Sequence, residues 1–345
     1  MRFGPVPTTV GEEHVHEVRR AWPSGDRIVL ELVDPHGRVT AGRIGPDGHV
    51  EIGRVGHDDA LPGLAPLLYE GARVIGHRLG KRAVVDAGER IVKLVRPSKV
   101  DGAVERHRSV QSLIAACGDP VRVPKIVAVD ETLGSVAFEK LDGAPILDGP
   151  RSEVAAGSLG EALRQLARAV IHDGLPVHSA EDEAGVLRRW ASDAERFGVL
   201  PDSVLARYLQ TVEEAVSSLR GLGDRPLSFA HRDLHDGQVL TGGGHDLVLL
   251  DLDTAAVADP ALDVGNFLAH LDLARAEGRL RAEQLARTER ALLAGLWPEE
   301  PDPATASAVA AYRRATRLRL VAVHAFRPRT RVAALALLGE PATRV

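Results

Sequence analysis

Three polar side chains around a short predicted hairpin have the types and spacing that phosphoryl transfer requires. Asp233 lies in HRDLHDGQVL, Gln238 follows it by five residues, and Asp251 comes directly after the apolar run LVLL. Two apolar segments flank the glycine-rich turn Thr241–Asp246, so their antiparallel pairing brings Gln238 and Asp251 together at the open end. A phosphoryl transferase needs one carboxylate to orient the attacking hydroxyl and oxygen ligands for magnesium on the nucleotide phosphates.

Two motifs contain these residues. The spacing from Asp233 to Gln238 is that of the kinase catalytic loop H-R-D-L-x-x-x-N, with Gln in place of Asn. The segment DLDTAAVADPALDVGNFLAHL has an acid on a strand, followed by a D-P-x-x-D turn into a helix. Together they resemble the motifs of the aminoglycoside phosphotransferase/choline kinase superfamily, the small-molecule relatives of protein kinases. The resemblance covers roughly residues 72–326.

Within that superfamily, the catalytic loop is most similar to that of bacterial maltokinases and glucosamine kinases. HRDLHDGQ has His235 two residues after Asp233 and Gln238 at the metal position. Maltokinase-like proteins also carry an N-terminal β-rich cap, which residues 27–55 resemble. The chain departs from the aminoglycoside pattern at Gln238 and from the maltokinase pattern in DLDTAAVADP, which leaves the substrate class open.

The resemblance implies roles for five residues. Asp233 matches the catalytic base, and Gln238 and Asp251 match the two magnesium ligands. Lys93, in the strand IVKLV, matches the lysine that holds the α- and β-phosphates of the nucleotide. Its ion-pair partner is expected on the following helix, where Glu105 is the candidate. The alternatives are a strand-edge charge for Lys93 and a solvated helix glutamate for Glu105.

The remainder of the nucleotide site also follows from the resemblance. FEKLDG at 138–143 resembles the hinge, so the backbone groups of Glu139 and Leu141 are expected to bind adenine. Gly76 and Gly80 bound the segment GHRLG, which lies where the phosphate-covering loop belongs. A full G-x-G-x-x-G is missing, as is common in this family. The implied cofactors are ATP or GTP, together with Mg²⁺.

Four further residues near the motifs are assigned structural or open roles. Asp263 is expected to cap the helix that starts at Val264 and to steady the catalytic loop. Asp253 either touches the metal through water or is a solvated loop acid. His231 is expected to be a buried scaffold histidine. His235 either packs within the loop or contacts the substrate.

The elements that must position these residues divide into a β-rich first half and a helical second half. RIVLELV, RVTAGRI and HVEIGRV are separated by the turn sequences DPHG and GPDG, which predicts a three-stranded meander over residues 27–55. The next stretch predicts three strands, a helix and two further strands, at residues 72–95, 101–117, 125–129 and 135–139. Farther on, apolar residues recur at helical spacing, as at Val264, Phe267, Leu268 and Leu271.

We therefore predict an α+β chain with a bilobal, protein-kinase-like fold. Its parts are an N-terminal β-meander cap (1–65), a nucleotide-binding N-lobe (66–143) and a helical C-lobe with the catalytic loop and acceptor site (144–345). The predicted enzyme is a Mg²⁺-dependent kinase that transfers the γ-phosphate of ATP or GTP to a hydroxyl of a sugar, aminosugar or aminoglycoside-like compound. The alternative is a pseudokinase-like regulator that binds nucleotide without phosphotransfer.

The amino-acid composition limits the classes of partner and the cellular location expected for the protein. The chain has 345 residues, a net charge of −5 and one cysteine, Cys117, which excludes an internal disulfide and a multi-cysteine zinc site. No uncharged apolar run approaches the roughly 18 residues of a spanning helix, and the first residues show no signal-peptide pattern. We expect no nucleic-acid or membrane partner, a cytoplasmic location, and a monomer or homodimer.

The C-terminal region is rich in arginine. A nucleic-acid surface is disfavoured because interleaved aromatic residues are few and the chain is acidic overall. A solvated helix face is expected, and the alternative is that one or two of these side chains line the acceptor site. The residues are Arg313, Arg314, Arg317, Arg319, Arg327, Arg329 and Arg331.

Overall fold

The N-terminal part of the chain forms a five-stranded antiparallel sheet, two strands more than the predicted meander. The structure is a computed structural model, which describes residues 3–11, 14–149, 151–169, 174–242 and 245–339. The strands of this first sheet, hereafter the cap sheet, lie side by side in chain order. They are β1 (Thr9–Val10), β2 (His16–Ser24), β3 (Arg27–Val33), β4 (Val39–Ile44) and β5 (Val50–Ile52).

A bulge explains why β2 was not predicted. The register of β2 against β3 shifts between Val18 and Arg20. The extra residue places Val18 and Ala21, three positions apart, on a buried side, and this breaks the two-residue period that marks a strand. Strand β3 keeps that period and is buried on both faces, with Leu30 on one and Glu31 on the other.

The second sheet contains the predicted strands on either side of the predicted helix. Its antiparallel order is β6-β7-β8-β10-β9, and helix α2 connects β8 to β9. A short helix, α1 (Leu64–Tyr69), precedes it. The elements are β6 (Arg73–Arg78), β7 (Arg82–Asp86), β8 (Arg90–Val95), α2 (Val100–Ala116), β9 (Ile126–Asp130) and β10 (Ser135–Glu139). Alternate apolar residues of β6–β8 form the core of this half, among them Val74, Val85 and Leu94.

Helices dominate the rest of the chain, interrupted by short strands that carry the catalytic motifs. The helices are α3 (Ser152–Leu166), α4 (Ala180–Phe197), α5 (Asp202–Arg220), α6 (Ala261–Ala276), α7 (Ala282–Leu296), α8 (Pro303–Ala325) and α9 (Arg331–Ala336). The strands are β11 (Ala144–Pro145), β12 (Ser228–Ala230), β13 (Val239–Gly242), β14 (His245–Leu249) and β15 (Ala256–Ala258). In the described part of the chain, no helix has the length and apolar character needed to cross a membrane.

Close packing of α6 against α8 fixes the helix that supports the catalytic loop. A Cβ on Gly265 would lie 2.6 Å from the Cβ of Tyr312, so only glycine permits this approach. Almost every residue of α6 is buried, which is expected of a helix that is surrounded on all sides. Side chains that α6 directs at its neighbours are therefore held in fixed positions.

The cap sheet contacts both predicted lobes. Strands β3 and β4 pack against β6 of the second sheet. On the other side, the backbone N–H groups of Phe3 and Gly4 both donate to the carbonyl oxygen of Phe197, at 3.0 and 3.1 Å. The rings of Phe3 and Phe197 are 5.1 Å apart, and Glu17 of β2 forms an ion pair with Arg329. The predicted domain boundary at residue 65 falls inside α1, while the boundary at 143 stays a prediction.

Candidate active site

The hairpin of β13 and β14 places Gln238 beside Asp251. Val239 pairs with Leu249, and the Leu250 N–H then donates to the carbonyl oxygen of Gln238 at 2.9 Å. Asp251 follows at once and has a left-handed backbone, with φ of 51°. Such a conformation is costly for a residue other than glycine, and the surrounding contacts must stabilise it. Residues 243–244 of the predicted turn lie outside the described residues.

The loop that carries Asp233 is held by α6. The carboxylate of Asp263 accepts hydrogen bonds from the N–H groups of His231, at 2.6 Å, and Arg232, at 2.7 Å. Asn266 Nδ2 donates to the carbonyl oxygen of Arg232 at 2.8 Å. Arg232 has φ of 67°, so these contacts fix a second left-handed residue next to Asp233. Burial raises the pKa of Asp263 above its usual value.

Asp263 does not cap the helix, contrary to the prediction. Helix α6 begins at Ala261, three residues before the predicted start at Val264, and its N-cap position is Pro260. The side chain of Asp259 accepts the Ala261 N–H, the first backbone N–H of the helix, at 3.0 Å. Asp263 is thus inside the first turn, where its carboxylate is free to point at the catalytic loop.

His231 links the catalytic loop to the end of β14. Its Nε2 lies 2.7 Å from the carbonyl oxygen of Leu250, and its Nδ1 lies 3.3 Å from the Asp233 N–H. These partners require a donating Nε2–H and an accepting Nδ1, and the ring is almost fully buried. The imidazole therefore fixes the separation of Asp233 and Asp251. The Asp233 carboxylate is half-buried, and no donor among the described residues is hydrogen-bonded to it.

Lys93 lies between two carboxylates. Its Nζ is 2.8 Å from Asp251 Oδ1 and also contacts Asp253. Arg82 at the start of β7 approaches the same pair, with Nη1 at 3.6 Å from Asp251 Oδ2 and 3.5 Å from Asp253 Oδ2. Burial opposes ionisation of Asp251, but the charges of Lys93 and Arg82 lower its pKa to about 2. Two basic and two acidic side chains from opposite halves of the molecule thus converge, and we call these four residues the charge quartet.

The predicted ion pair between Lys93 and Glu105 is wrong for this structure. Helix α2 buries Val104 and His107, and Glu105 follows about 100° farther round the helix, on an exposed face. The face towards the quartet carries basic groups instead. Arg106 donates to the backbone carbonyl oxygen of Asp253, and His107 Nε2 lies 2.7 Å from the Pro124 carbonyl oxygen. Asp251 and Asp253 take the place of the expected helix acid.

The glycine segment is shorter than predicted and is held by acids outside the second sheet. Gly76 lies within β6, and only Gly80, with φ of 66°, is in the turn between β6 and β7. Asp58 Oδ2 accepts the Gly80 N–H at 2.7 Å and lies 2.9 Å from His77 Nε2. Glu31 of the cap sheet accepts the His77 N–H at 2.8 Å. Burial alone would raise the pKa of Asp58, but the bonds from His77 and Gly80 lower it below its usual value.

The predicted hinge residues lie at the end of β10. The Glu139 N–H donates to the Lys125 carbonyl oxygen at 2.9 Å. Its carboxylate accepts from Arg122 Nη2 at 2.7 Å and from the Lys125 N–H at 2.9 Å. Within the described part of the chain, the carbonyl group of Glu139 accepts no hydrogen bond from outside the sheet. Leu141 follows two residues later in the connection to the helical half.

Residues 80–300, nearly two thirds of the chain, match the profile of the family described as "Phosphotransferase enzyme family". The chain belongs to this family. The predicted recognition of a phosphotransferase that acts on small molecules is thereby confirmed. Among curated proteins, no sequence match is found.

Solved structures of other phosphotransferases have the same fold. A choline/ethanolamine kinase family protein from Mesorhizobium loti gives a TM-score of 0.53 at 17% identity, over 76% of this chain and 86% of that one. The GDP complex of aminoglycoside 2'-phosphotransferase-IIIa gives 0.55 at 16%, over 78% and 91%. Spectinomycin phosphotransferase with ADP and spectinomycin gives 0.53 at 14%, over 79% and 90%. The predicted α+β, protein-kinase-like fold is confirmed.

Two residues of this phosphotransferase's charge quartet were not predicted as site residues. Arg82 had no motif to mark it, because the chain is rich in arginine throughout. Asp253 was considered only as a water-mediated ligand or a solvated acid, yet it contacts Lys93 directly. The available signal was the spacing D-L-D, which puts a second carboxylate one short turn beyond Asp251.

Proposed function

We propose that this phosphotransferase moves the γ-phosphate of ATP or GTP to a hydroxyl of a small molecule of the sugar type. The observation that carries the proposal is the charge quartet beside the Asp233 loop. Lys93 and Arg82 supply two positive charges for the phosphate chain, and Asp251 and Asp253 supply hard anionic oxygens at the same point. In the present structure these groups neutralise one another, and a nucleotide would insert between them.

Asp233 is the proposed base of this reaction. The acceptor hydroxyl oxygen forms a bond to the γ-phosphorus, and the bond from that phosphorus to the bridging β-γ oxygen breaks. The nucleoside diphosphate leaves with the electron pair, and the hydroxyl proton passes to the Asp233 carboxylate. Support comes from the carboxylate itself, which is half-buried and has no donor among the described side chains, while its backbone is fixed through His231.

Gln238 and Asp251 are the proposed magnesium ligands, and their chemistry fits that ion. Mg²⁺ prefers oxygen ligands and binds carboxylates in nucleotide sites, and Asp251 is ionised at neutral pH. The Gln238 side chain, on the residue before β13, would add a neutral oxygen. When bound, the ion would neutralise charge that develops around the γ-phosphate. Asp253, in contact with Lys93, offers a third oxygen donor at the same site.

The nucleotide base would lie at the hinge. The carbonyl group of Glu139 and the N–H of Leu141 are the proposed adenine partners, while Lys93 and Arg82 hold the phosphates. The hairpin of β6 and β7, whose turn contains Gly80, would cover the phosphates. GDP and ADP are the nucleotides in the two phosphotransferase complexes described above, which supports both donors. Cytoplasmic location and a monomeric or dimeric state stay predictions.

The direct test is turnover with purified protein. ATP or GTP, with magnesium, would be offered together with sugars, aminosugars and aminoglycosides, and the phosphate ester detected by mass spectrometry. We expect a product on at least one hydroxyl compound. Nucleotide binding without turnover on any acceptor would favour the regulatory alternative, in which the same site binds nucleotide without phosphotransfer.

The contact of Asp58 with the glycine turn predicts a specific effect on nucleotide affinity. Asp58→Asn removes the charge that holds His77 and the Gly80 N–H, so the turn is no longer fixed over the phosphates. Hydrogen bonds to charged groups are worth about 1.5–3 kcal/mol, so we expect the nucleotide Kd to rise roughly 10-fold with a smaller change in kcat. Asp47→Asn, in an exposed turn of the cap sheet, is the matched control. If both variants bind nucleotide with equal affinity, Asp58 does not contribute to nucleotide binding through the glycine turn.

Gln238 is expected to determine the magnesium requirement. Gln238→Leu keeps the size but removes the oxygen, so the magnesium concentration for half-maximal activity should rise at least about tenfold. Gln238→Asn should have a smaller effect in the same direction, because its side chain is one methylene shorter. Gln210→Leu, at an exposed position of α5, serves as control. Magnesium titrations of both Gln238 variants that superimpose on wild type would leave Asp251 and water as the ligands.

Gly237, the residue before Gln238, provides space for a neighbouring ring. It is not among the positive-φ glycines of the described residues, so its backbone conformation does not require glycine. A Cβ there would instead lie 3.0 Å from Cε1 of the His235 ring. Nδ1 of that ring accepts the Gly237 N–H at 3.0 Å, so glycine allows the imidazole to close the loop before Gln238.

A further inference from the structure

A second group of basic side chains, distinct from the charge quartet, lies near Asp233. Arg327, just after α8, is close enough to Asp233 and to Arg20 of β2 for their charges to affect it. Its Nη1 lies 3.2 Å from His324 Nε2. The rings of His235 and His270 stack with centroids 4.7 Å apart. The positive charge of Arg327 contributes to lowering the pKa of both rings. We call these five basic residues the Arg327 cluster.

The three histidines of the cluster are neutral, so its charge comes from arginine. Burial, with help from Arg327, lowers the pKa of His324 to about 3, and its Nδ1 lies 2.7 Å from Thr330 Oγ1. Burial also lowers the pKa of His235 and, more strongly, that of His270. Burial and Arg20 lower the pKa of Arg327 to about 10, which still leaves it charged at neutral pH.

No carboxylate compensates Arg327 at close range within the described ranges. Its Nε is buried and has no hydrogen-bond partner there. The two other acids near it are engaged elsewhere. Glu31 binds Arg19 at 2.7 Å, lies 3.6 Å from Arg20 Nε and accepts the His77 N–H. Glu277 binds Arg279 at 3.0 Å. A mostly buried guanidinium without an anion is unfavourable, and it marks a place where an anion would bind.

From this we infer that the acceptor carries an anionic group, a carboxylate or a phosphate, which binds Arg327 while its hydroxyl faces Asp233. The inference rests on the proposed function and narrows its acceptor class. A guanidinium presents parallel N–H donors that match both anions in a bidentate manner. The neutral His235 ring, whose Nδ1 accepts the Gly237 N–H, offers its other nitrogen to a further hydroxyl. A cationic aminosugar or aminoglycoside would meet the uncompensated positive charge of Arg327, so the aminated part of the predicted class is disfavoured.

Four compounds that share one ring and differ in one substituent test the inference. They are glucose, glucuronate, glucose 6-phosphate and glucosamine, assayed with ATP and magnesium. We expect kcat/KM for at least one of the two anions to exceed that for glucose about tenfold, with glucosamine the poorest acceptor. The two anions distinguish a carboxylate from a phosphate. Turnover of glucose or glucosamine as efficient as that of both anions would overturn the inference.

Calorimetric titration of the ADP-bound protein with the same compounds separates this inference from the proposed function. Absence of turnover on every compound, with an anion binding more tightly than glucose, would count against the reaction and support the anion site. Failure of both anions to bind more tightly than glucose would overturn the anion site, whatever the activity.

Variants of Arg327 complete the test. Arg327→Gln should lower the ratio of kcat/KM for the preferred anion to that for glucose about tenfold, and Arg327→Lys should restore part of it. Arg314→Gln is the matched control, because Arg314 lies on α8, is partly exposed and pairs with Glu214. If Arg327→Gln reduces turnover of all four compounds by the same factor, Arg327 supports Asp233 or the fold and does not select the acceptor.

Discussion

Asp233→Asn is expected to lower kcat about 10²–10⁴-fold while nucleotide affinity stays within a few-fold of wild type. The amide cannot take the hydroxyl proton, whereas the loop should keep its shape. That shape depends on backbone bonds to Asp263 and on His231, none of which involves the Asp233 side chain. Steady-state kinetics on the best acceptor, with the nucleotide Kd measured by calorimetry, separate the two effects.

Asp224→Asn provides the control for this experiment. Asp224 is an exposed acid shortly before β12, so its replacement alters net charge by the same amount without touching the loop. We expect its kcat to match wild type. An Asp233→Asn enzyme that works within a few-fold of wild type would exclude a proton-accepting role for Asp233.

Removing core volume from the cap sheet is expected to destabilise the whole protein. Leu30 on β3 is fully buried and belongs to the same continuous apolar cluster as Phe197 of α4. Leu30→Ala should therefore lower the free energy of unfolding by about 2–5 kcal/mol, measured by chemical denaturation. Val15→Ala is the control, because Val15 lies in the same part of the chain but is 51% exposed. Equal stability of the two variants would contradict a shared core.

Deletion of residues 1–60 extends this experiment. It would expose β6, remove Asp58 from the glycine turn and leave Phe197 without Phe3. We expect a large drop in melting temperature, because the deletion removes part of the core and exposes apolar surface that promotes aggregation. A truncated protein with the wild-type melting temperature that lost one acceptor would instead assign the cap sheet to substrate recognition alone.

The sequence predicted those parts of the site that local geometry determines. Gln238 and Asp251 are joined by one hairpin, so strand pairing alone placed them together. The partner of Lys93 is 158 residues away, on an element whose position depends on the packing of the entire helical half. No periodicity indicates such a contact. Glu105 was chosen as the partner because it is an acid on the helix that follows Lys93. The burial of Val104 and His107 sets the rotation of that helix, and Glu105 therefore points to solvent.

For the fold as well, the sequence predicted only what local patterns determine. Strands and helices with a regular apolar period were predicted, and β2 was missed because its bulge removes the period on which the prediction depends.

The arginine-rich C-terminal segment shows that the burial of charged residues cannot be predicted from the sequence pattern. Arg314 is partly exposed and Arg313 is buried against Asp272, although they are adjacent in the chain. Composition does not distinguish these two residues. The packing of the folded chain determines which arginine is solvated and which is buried with an ion-pair partner.

The contacts of the cap sheet with Phe197 and Arg329 have a consequence for synthesis of the chain on the ribosome. Glu17 emerges first, and its partner Arg329 follows roughly 300 residues later. At about 5–20 residues per second, this delay is about 15–60 s. Phe197, which shares an apolar cluster with Leu30 of β3, follows Glu17 by roughly 180 residues, and β3 lacks this part of its core for about 9–36 s. The yield of the protein in cells should therefore depend on chaperones that bind nascent chains more than on the stability of the finished fold.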